Sequence, residues 1–324
     1  MMRKHTSIWI LTVCFLSCLS MSSCGGDDEL DILGIESFLN DEPQSEYVYF
    51  KNHPLPAGKG SLRVLAIGNS YTVDALYFVK DILENLGVDA ETYSLYGVIH
   101  DSASLQHWCK VIRKGETVQL SYWGGQRTDE EEGTLIDLIS QPWDVIALTQ
   151  YSRAAIDYRS FNPWIKQLID CIQLYCPNTD VTLAWNMAPS YNDAVITPYS
   201  NYERWLLIAQ STKMMVENDG IDVIIPVGTA VQNARSTSLN SQSQLTRDGW
   251  HLNEGVGRYL AACTMVQSLF APVYGITVQN DHSQLSLHTP CEHQYPPEPV
   301  TDENRSLCHQ CVMSAVQKPF EVVK

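Results

Sequence analysis

From Ser61 onward, short β-type apolar runs alternate with longer helical patterns, and this rhythm constrains the fold more than any other feature of the chain. The runs are Arg63–Ile67, Ala90–Leu95, Val145–Leu148, Val181–Trp185 and Val223–Pro226. Between them lie segments with helical periodicity near 71–86, 103–113, 131–140, 160–174 and 201–218, and another at 254–270 follows the last run. Strands separated by helices pair in parallel, with each crossover helix covering a face of the sheet. The expected architecture is therefore α/β, with a mostly parallel five-stranded sheet between helices. Residues 114–130, "KGETVQLSYWGGQRTDE", break the rhythm and read as an inserted loop. No internal repeat or second composition regime divides residues 61–324, which read as one domain.

The N-terminus stands outside this pattern. In "MMRKHTSIWILTVCFLSCLSMSSC", Arg3 and Lys4 precede an apolar stretch from Ile8 to Leu19, and small residues follow up to Cys24. Residues 1–23 read as a secretory signal, too short to span a bilayer as a mature helix. The segment "SMSSCGGDDEL" resembles a bacterial lipoprotein processing site, with Met21 where Leu is more usual. That resemblance implies lipidation of Cys24 and a lipid anchor in the bacterial outer membrane. The run Asp27-Asp28-Glu29 is similar to surface-export signals of some gut-bacterial lipoproteins. Residues 24–60 read as an acidic tether without periodicity.

Loss of residues 1–23 removes two cations and no anions, so 19 Lys and Arg would face 37 Asp and Glu, a formal charge of −18. Such a field repels phosphate backbones, and nucleic acid is not an expected partner. Uncharged glycans and their esters remain open. Past Cys24 there are seven cysteines, an odd number that excludes a fully paired disulfide scaffold. Cys308 and Cys311, with Cys291 and His293 upstream, have three readings: a metal cluster, a Cys308–Cys291 disulfide, or core packing. The segment "TDENRSLCHQCVMSAV" favours the last. It reads as a helix capped at Thr301 or Asp302, with Leu307, Cys308, Cys311, Val312 and Val316 on one apolar face.

In an open parallel sheet the ligand crevice lies outside the carboxyl ends of the strands. Ser70 in "RVLAIGNSYTVDAL" falls there, and so do Gln150 in "WDVIALTQYS" and the segment "NMAPS". A bland reading makes Ser70 a helix N-cap. A sharper one makes it a nucleophile, which needs a base and an orienting group for that base. "TRDGWHLNEGVGRYLAA" offers both: Asp248 and His251 lie three apart in a polar turn around Gly249. The carboxylate can hold one imidazole N–H and leave the other nitrogen for the hydroxyl. Of the other eight histidines only His100 and His107, in "GVIHDSASLQHWCK", compete for a place at the site.

The blocks "AIGNSYT" and "DGWHLN" around this pattern resemble the first and last motifs of the SGNH/GDSL-type hydrolases. With "SLQHW", "WDVIALTQYS" and "VIIPVGTAVQNAR", they resemble a bacterial lipoprotein branch of that superfamily known as a domain of unknown function, over roughly Leu62 to Tyr274. The resemblance implies a flavodoxin-like three-layer α/β/α fold and cofactor-free ester hydrolysis, often removal of acetyl groups from carbohydrate. It casts Ser70 as nucleophile, His251 as general base and then acid, and Asp248 as its orienter. The oxyanion donors would be the Ser70 N–H, the Gln150 amide in place of the usual Asn, and one backbone N–H from Gly97, His100 or Asp101. A non-catalytic glycan-binding lipoprotein, with Trp123, Trp164, Trp185 and Trp250 as stacking platforms, is the alternative from another class. A metal-dependent hydrolase using His100, His107 or the Cys/His tail is the third. An α/β-hydrolase elbow and a phosphate-binding loop are excluded, since neither Gly-x-Ser-x-Gly nor a Gly-rich run ending in Lys-Ser/Thr occurs.

Overall fold

The computed structural model describes residues 53, 55–128, 131–191, 199–287 and 295–323. The readings of residues 1–52, Cys24 included, and those of Cys291 and His293 lie outside the described residues. Among the described residues, no helix is long and apolar enough to cross a membrane.

The first apolar run forms β1 (Leu62–Gly68), whose alternate residues supply both faces of the sheet. Leu62, Val64 and Ala66 enter one core, and Leu65 and Ile67 enter the other. In chain order there follow α1 (Ser70–Leu76), α2 (Val79–Asn85), β2 (Tyr93–Ile99) and α3 (Leu105–Lys114). A short ribbon pairs β3 (Thr117–Gln119) with β5 (Glu132–Thr134), and β4 (Ser121–Gly125) lies between them in sequence. The chain continues through α4 (Leu135–Ile139), β6 (Val145–Leu148), α5 (Trp164–Tyr175), β7 (Thr182–Asn186), α6 (Asn201–Asp219) and β8 (Val223–Ile225). It closes with α7 (Val227–Arg235), α8 (Val256–Met265), α9 (Ala271–Tyr274) and α10 (Asp302–Gln317).

The main sheet has the order β4-β2-β1-β6-β7-β8. Its five parallel strands run second, first, third, fourth, fifth in chain order, the doubly wound flavodoxin-like arrangement. The expected three-layer fold is therefore present. Helices α1, α2, α7, α8 and α10 cover one face, and α3 to α6 cover the other. The order reverses at β1, between β2 and β6, so the crevice opens beyond the ends of these strands.

Several elements differ from the sequence reading. Residues 114–130 are not simply a loop: β4 adds a sixth, antiparallel strand at the edge of β2. The second strand begins at Tyr93 because Ala90–Thr92 forms a single 3₁₀ turn capped by Asp89. The helix expected over 71–86 is two helices, interrupted at Tyr77 and Phe78. The predicted C-terminal helix is α10, capped at Thr301, with Cys308 and Cys311 buried in the core as free thiols.

Candidate active site

At the carboxyl end of β1 the chain must turn sharply from strand to helix. Gly68 makes this possible: a Cβ there would meet Thr72 Oγ1 at 2.1 Å and Thr149 Cβ at 3.0 Å. Asn69, not Ser70, is the N-cap, and its side chain accepts from Tyr71 N while Thr72 Oγ1 accepts from Asn69 N. Ser70 is thereby released to be the first helical residue. Its backbone N–H belongs to the first turn, where no intrahelical acceptor exists.

Ser70 Oγ lies 2.9 Å from His251 Nε2, across 181 positions of sequence. His251 Nδ1 lies 2.6 Å from Asp248 Oδ2. The other carboxylate oxygen of Asp248 accepts from the backbone N–H groups of Trp250 and His251, at 2.8 and 2.7 Å. This tight turn passes through Gly249 at φ +87°, a left-handed conformation that suits glycine. Burial raises the cost of the Asp248 charge, but the His251 N–H and the two backbone donors outweigh it and hold the carboxyl down at about 2. Asp248 is therefore ionised at neutral pH, so Nδ1 of His251 carries the proton and Nε2 accepts from the serine hydroxyl.

What holds two such distant segments together is Asp74, one turn along α1 from Ser70 and fully buried. It accepts from Arg247 Nη1 and Arg258 Nε, each at 2.9 Å, and from Leu252 N at 2.9 Å. Tyr71 adds a bond from its hydroxyl to the Trp250 carbonyl at 2.9 Å. The helix bearing the hydroxyl and the turn bearing the imidazole are thus tied at two points behind the reacting atoms. Sequence reasoning missed Asp74. The available signal was an acid on a helix face otherwise made of Tyr71, Thr72, Ala75 and Leu76, with arginines flanking the Asp-x-x-His turn.

The expected oxyanion donors fare differently. Gln150 is buried, and its amide nitrogen is engaged by Ser160 O and Oγ at 3.2 and 3.3 Å. Its carbonyl oxygen accepts from Leu105 N and Tyr151 N, at 3.0 and 2.9 Å. Gln150 therefore clamps the loops after β2 and β6, and its amide is committed away from the expected role. Gly97 lies inside β2 opposite Ala66, two residues short of the strand end, with Trp123 Nε1 filling the space beside it. The turn that follows β2 is His100–Ala103. There His100 N donates to Gly68 O, and Ala103 N donates to His100 O. Ser102 has φ +58°, and Asn69 Nδ2 fastens the turn through Ala103 O at 2.9 Å. Among the described residues, the N–H groups of Asp101 and Ser102 make no backbone hydrogen bond.

His100 and His107 stack on each other, ring centroids 4.4 Å apart, on the β2 side of the crevice. Burial and then the neighbouring His100 ring lower the pKa of His107. The four tryptophans considered as sugar platforms are largely occupied. Trp185 is in the core, Trp164 packs under Arg113, and Trp123 packs against the opposite core. Trp250 is stacked on Tyr191 at 4.4 Å and 12°. Among the described residues no group of three or more His, Cys, Asp or Glu could hold a metal ion.

No curated protein matches the chain. Among solved structures, a DUF4886 family protein from Bacteroides uniformis ATCC 8492 is similar at 24% identity and TM-score 0.66, over 81% of this chain and 97% of that one. This likeness shows a shared fold. An acetyl xylan esterase variant from Geobacillus stearothermophilus is more loosely similar, at 11% identity and TM-score 0.42, over 65% of this chain and 95% of that one. The family model described as "Domain of unknown function (DUF4886)" matches residues 63–284, a span that holds Ser70, Asp74, Asp248, His251 and Arg258. The chain belongs to the DUF4886 family.

Proposed function

We propose that the protein is a serine esterase of the SGNH/GDSL type. The observation that carries this reading is the unbroken line from Asp248 through His251 to Ser70 Oγ, with hydrogen bonds of 2.6 and 2.9 Å at the carboxyl edge of the sheet. Ser70 Oγ attacks the ester carbonyl carbon while His251 Nε2 takes the hydroxyl proton. Negative charge collects on the former carbonyl oxygen, for which the Ser70 N–H and the N–H groups of Asp101 or Ser102 are the donors. Collapse of this intermediate breaks the ester C–O bond, and His251 returns its proton to the departing alcohol. Water then attacks the acyl-serine with His251 as base, releasing the acid and restoring Ser70. Asp248 holds the ring in the required tautomer and stabilises the imidazolium in both halves of the cycle.

The proposed substrate is an O-acylated carbohydrate, with acetyl as the acyl group. The proposed location is the bacterial cell envelope, through a lipid on Cys24. The deciding experiment is turnover of p-nitrophenyl acetate by the domain from residue 25 onward, beside Ser70→Ala. Turnover that disappears in the variant supports the reading, and equal turnover in both proteins removes Ser70 from it. Acetate release from a panel of acetylated glycans then identifies the sugar.

A further inference from the structure

Beside His251 stands a column of rings and guanidinium groups that the hydrolytic chemistry does not use. Tyr191 covers one face of Trp250, and the Arg153 guanidinium lies 4.6 Å from the centroid of the same indole. Arg204 sits over Tyr191 at 5.0 Å and donates to its carbonyl. Arg235 binds Ser190 through both terminal nitrogens, at 2.7 and 3.0 Å, and Gln244 O through Nε. Three guanidinium groups thus surround Ser190, Tyr191 and Trp250 in a chain whose net charge is −16.

Arg153 differs from the other two. Arg204 and Arg235 are nearly buried and held by neighbouring backbone and hydroxyl oxygens. Among the described residues Arg153, only partly buried, has no ion pair and carries a buried Nε–H without an acceptor. A buried donor left unmade is costly, and an unpaired guanidinium offers a planar fork suited to a carboxylate. Arginines elsewhere around the site are answered: Arg247 and Arg258 share Asp74.

Resting on the esterase reading, we infer that Arg153 binds a carboxylate on the alcohol portion of the substrate, so that the preferred substrates are acyl esters of acidic sugars. The side is set by His251, which must protonate the departing alcohol. Trp250 adjoins that residue in sequence, and the Arg153 guanidinium lies over its indole, which puts the proposed carboxylate site on the alcohol side. Arg153 would be a specificity residue, outside the bond-making chemistry. The acidic field of the chain as a whole would favour neutral ligands, and the column is a local exception to it.

The test compares acetate release from the mono-O-acetylated methyl glycosides of glucuronic acid and of glucose, which differ only in carboxylate against hydroxymethyl. Wild-type kcat/KM is expected to favour the glucuronate ester by at least about tenfold, mainly through KM. Arg153→Gln should bring that ratio to near one, and Arg153→Lys should retain part of it. Equal kcat/KM for the two esters in the wild type overturns the inference without using any variant. So does a preference that survives in Arg153→Gln. Absence of any Ser70-dependent turnover, read first with p-nitrophenyl acetate, would instead sink the esterase reading on which the inference rests.

Discussion

His251 and His309 each belong to a short chain of carboxylate, ring and hydroxyl, and their surroundings send them in opposite directions. The first order is Asp248, His251, Ser70, at the rim, with side chains of Asp248 and His251 exposed by 36% and 32%. The second is Asp281, Tyr259, His309, beneath α10, where Asp281 is fully buried. There the Tyr259 hydroxyl gives its one hydrogen to Asp281 Oδ2 at 2.5 Å and so accepts from His309 Nε2 at 2.7 Å. Arg305 and Ser283 occupy more of the same carboxylate, at 3.3 and 2.9 Å. Burial lowers His309 to about 4, with Arg305 adding to it and Asp281 opposing. His309 is thus a neutral donor committed to its neighbour. The difference lies in what remains unfilled. At the rim, Ser70 Oγ is held only by His251 among the described residues, whereas under α10 the Tyr259 hydroxyl and the Asp281 carboxylate are shared among His309, Arg305 and Ser283.

The largest expected effect is at the rim. Ser70→Ala should reduce ester turnover at least about 10⁴-fold with little change in melting temperature, and Asp248→Asn should reduce turnover by a similar factor. Asp281→Asn should do the reverse, lowering the melting temperature while leaving turnover of the folded fraction close to wild type. If Asp281→Asn instead abolished turnover in folded protein, the contrast between the two clusters would be gone.

Next in size is the clamp. Asp74→Ala strands Arg247 and Arg258 in the interior and should cost about 3–5 kcal/mol in denaturant unfolding. A double-mutant cycle with Arg247→Met should show strong coupling.

The third prediction separates the clusters by pH. His309 binds a proton more readily unfolded than folded, so its contribution to stability is present above about 6.5 and lost as pH falls toward 4, by about 3 kcal/mol in all. His309→Gln should flatten the stability profile in that window. Asp248 likewise binds a proton more readily unfolded than folded, but its contribution is lost only below its usual 3.8, as pH approaches 2. A profile unchanged by His309→Gln would show that His309 is not the titrating group.

The smallest effect is at Gln150. Gln150→Ala leaves the N–H groups of Leu105 and Tyr151 without their acceptor and should cost about 1–3 kcal/mol of stability. Turnover of the folded enzyme should fall less than about tenfold, short of the 3–4 kcal/mol typical of a lost oxyanion donor.

The parts of this molecule that announce themselves in sequence do so through local pattern. The β-type runs ending in polar residues revealed both the parallel sheet and the rim, and the Asp-x-x-His turn around Gly249 stood out for its spacing. Helix α7 was missed because all nine of its residues are buried, which leaves "VGTAVQNAR" no amphipathic period. The edge strand β4 was missed because only its pairing with β2 distinguishes it from a loop. Asp74 is fixed by contacts 173 to 184 positions away, and the Gln150 oxygen by Leu105, 45 positions away, which no short window contains. Gln150 misled for a related reason: its position at a strand end was legible, but not the direction of its amide.

The Asp74 clamp has a consequence for how such a scaffold diversifies. Because α1 and the 246–252 turn are bolted together from behind, the reacting groups keep their registration whatever happens in front of them. The crevice-facing connections after β2, β6 and β7 can then be exchanged piece by piece, as one changes the jaws of a vice without touching its screw. Divergence among relatives should therefore concentrate in those connections, with new selectivities arising there while Asp74 and its two arginines stay fixed.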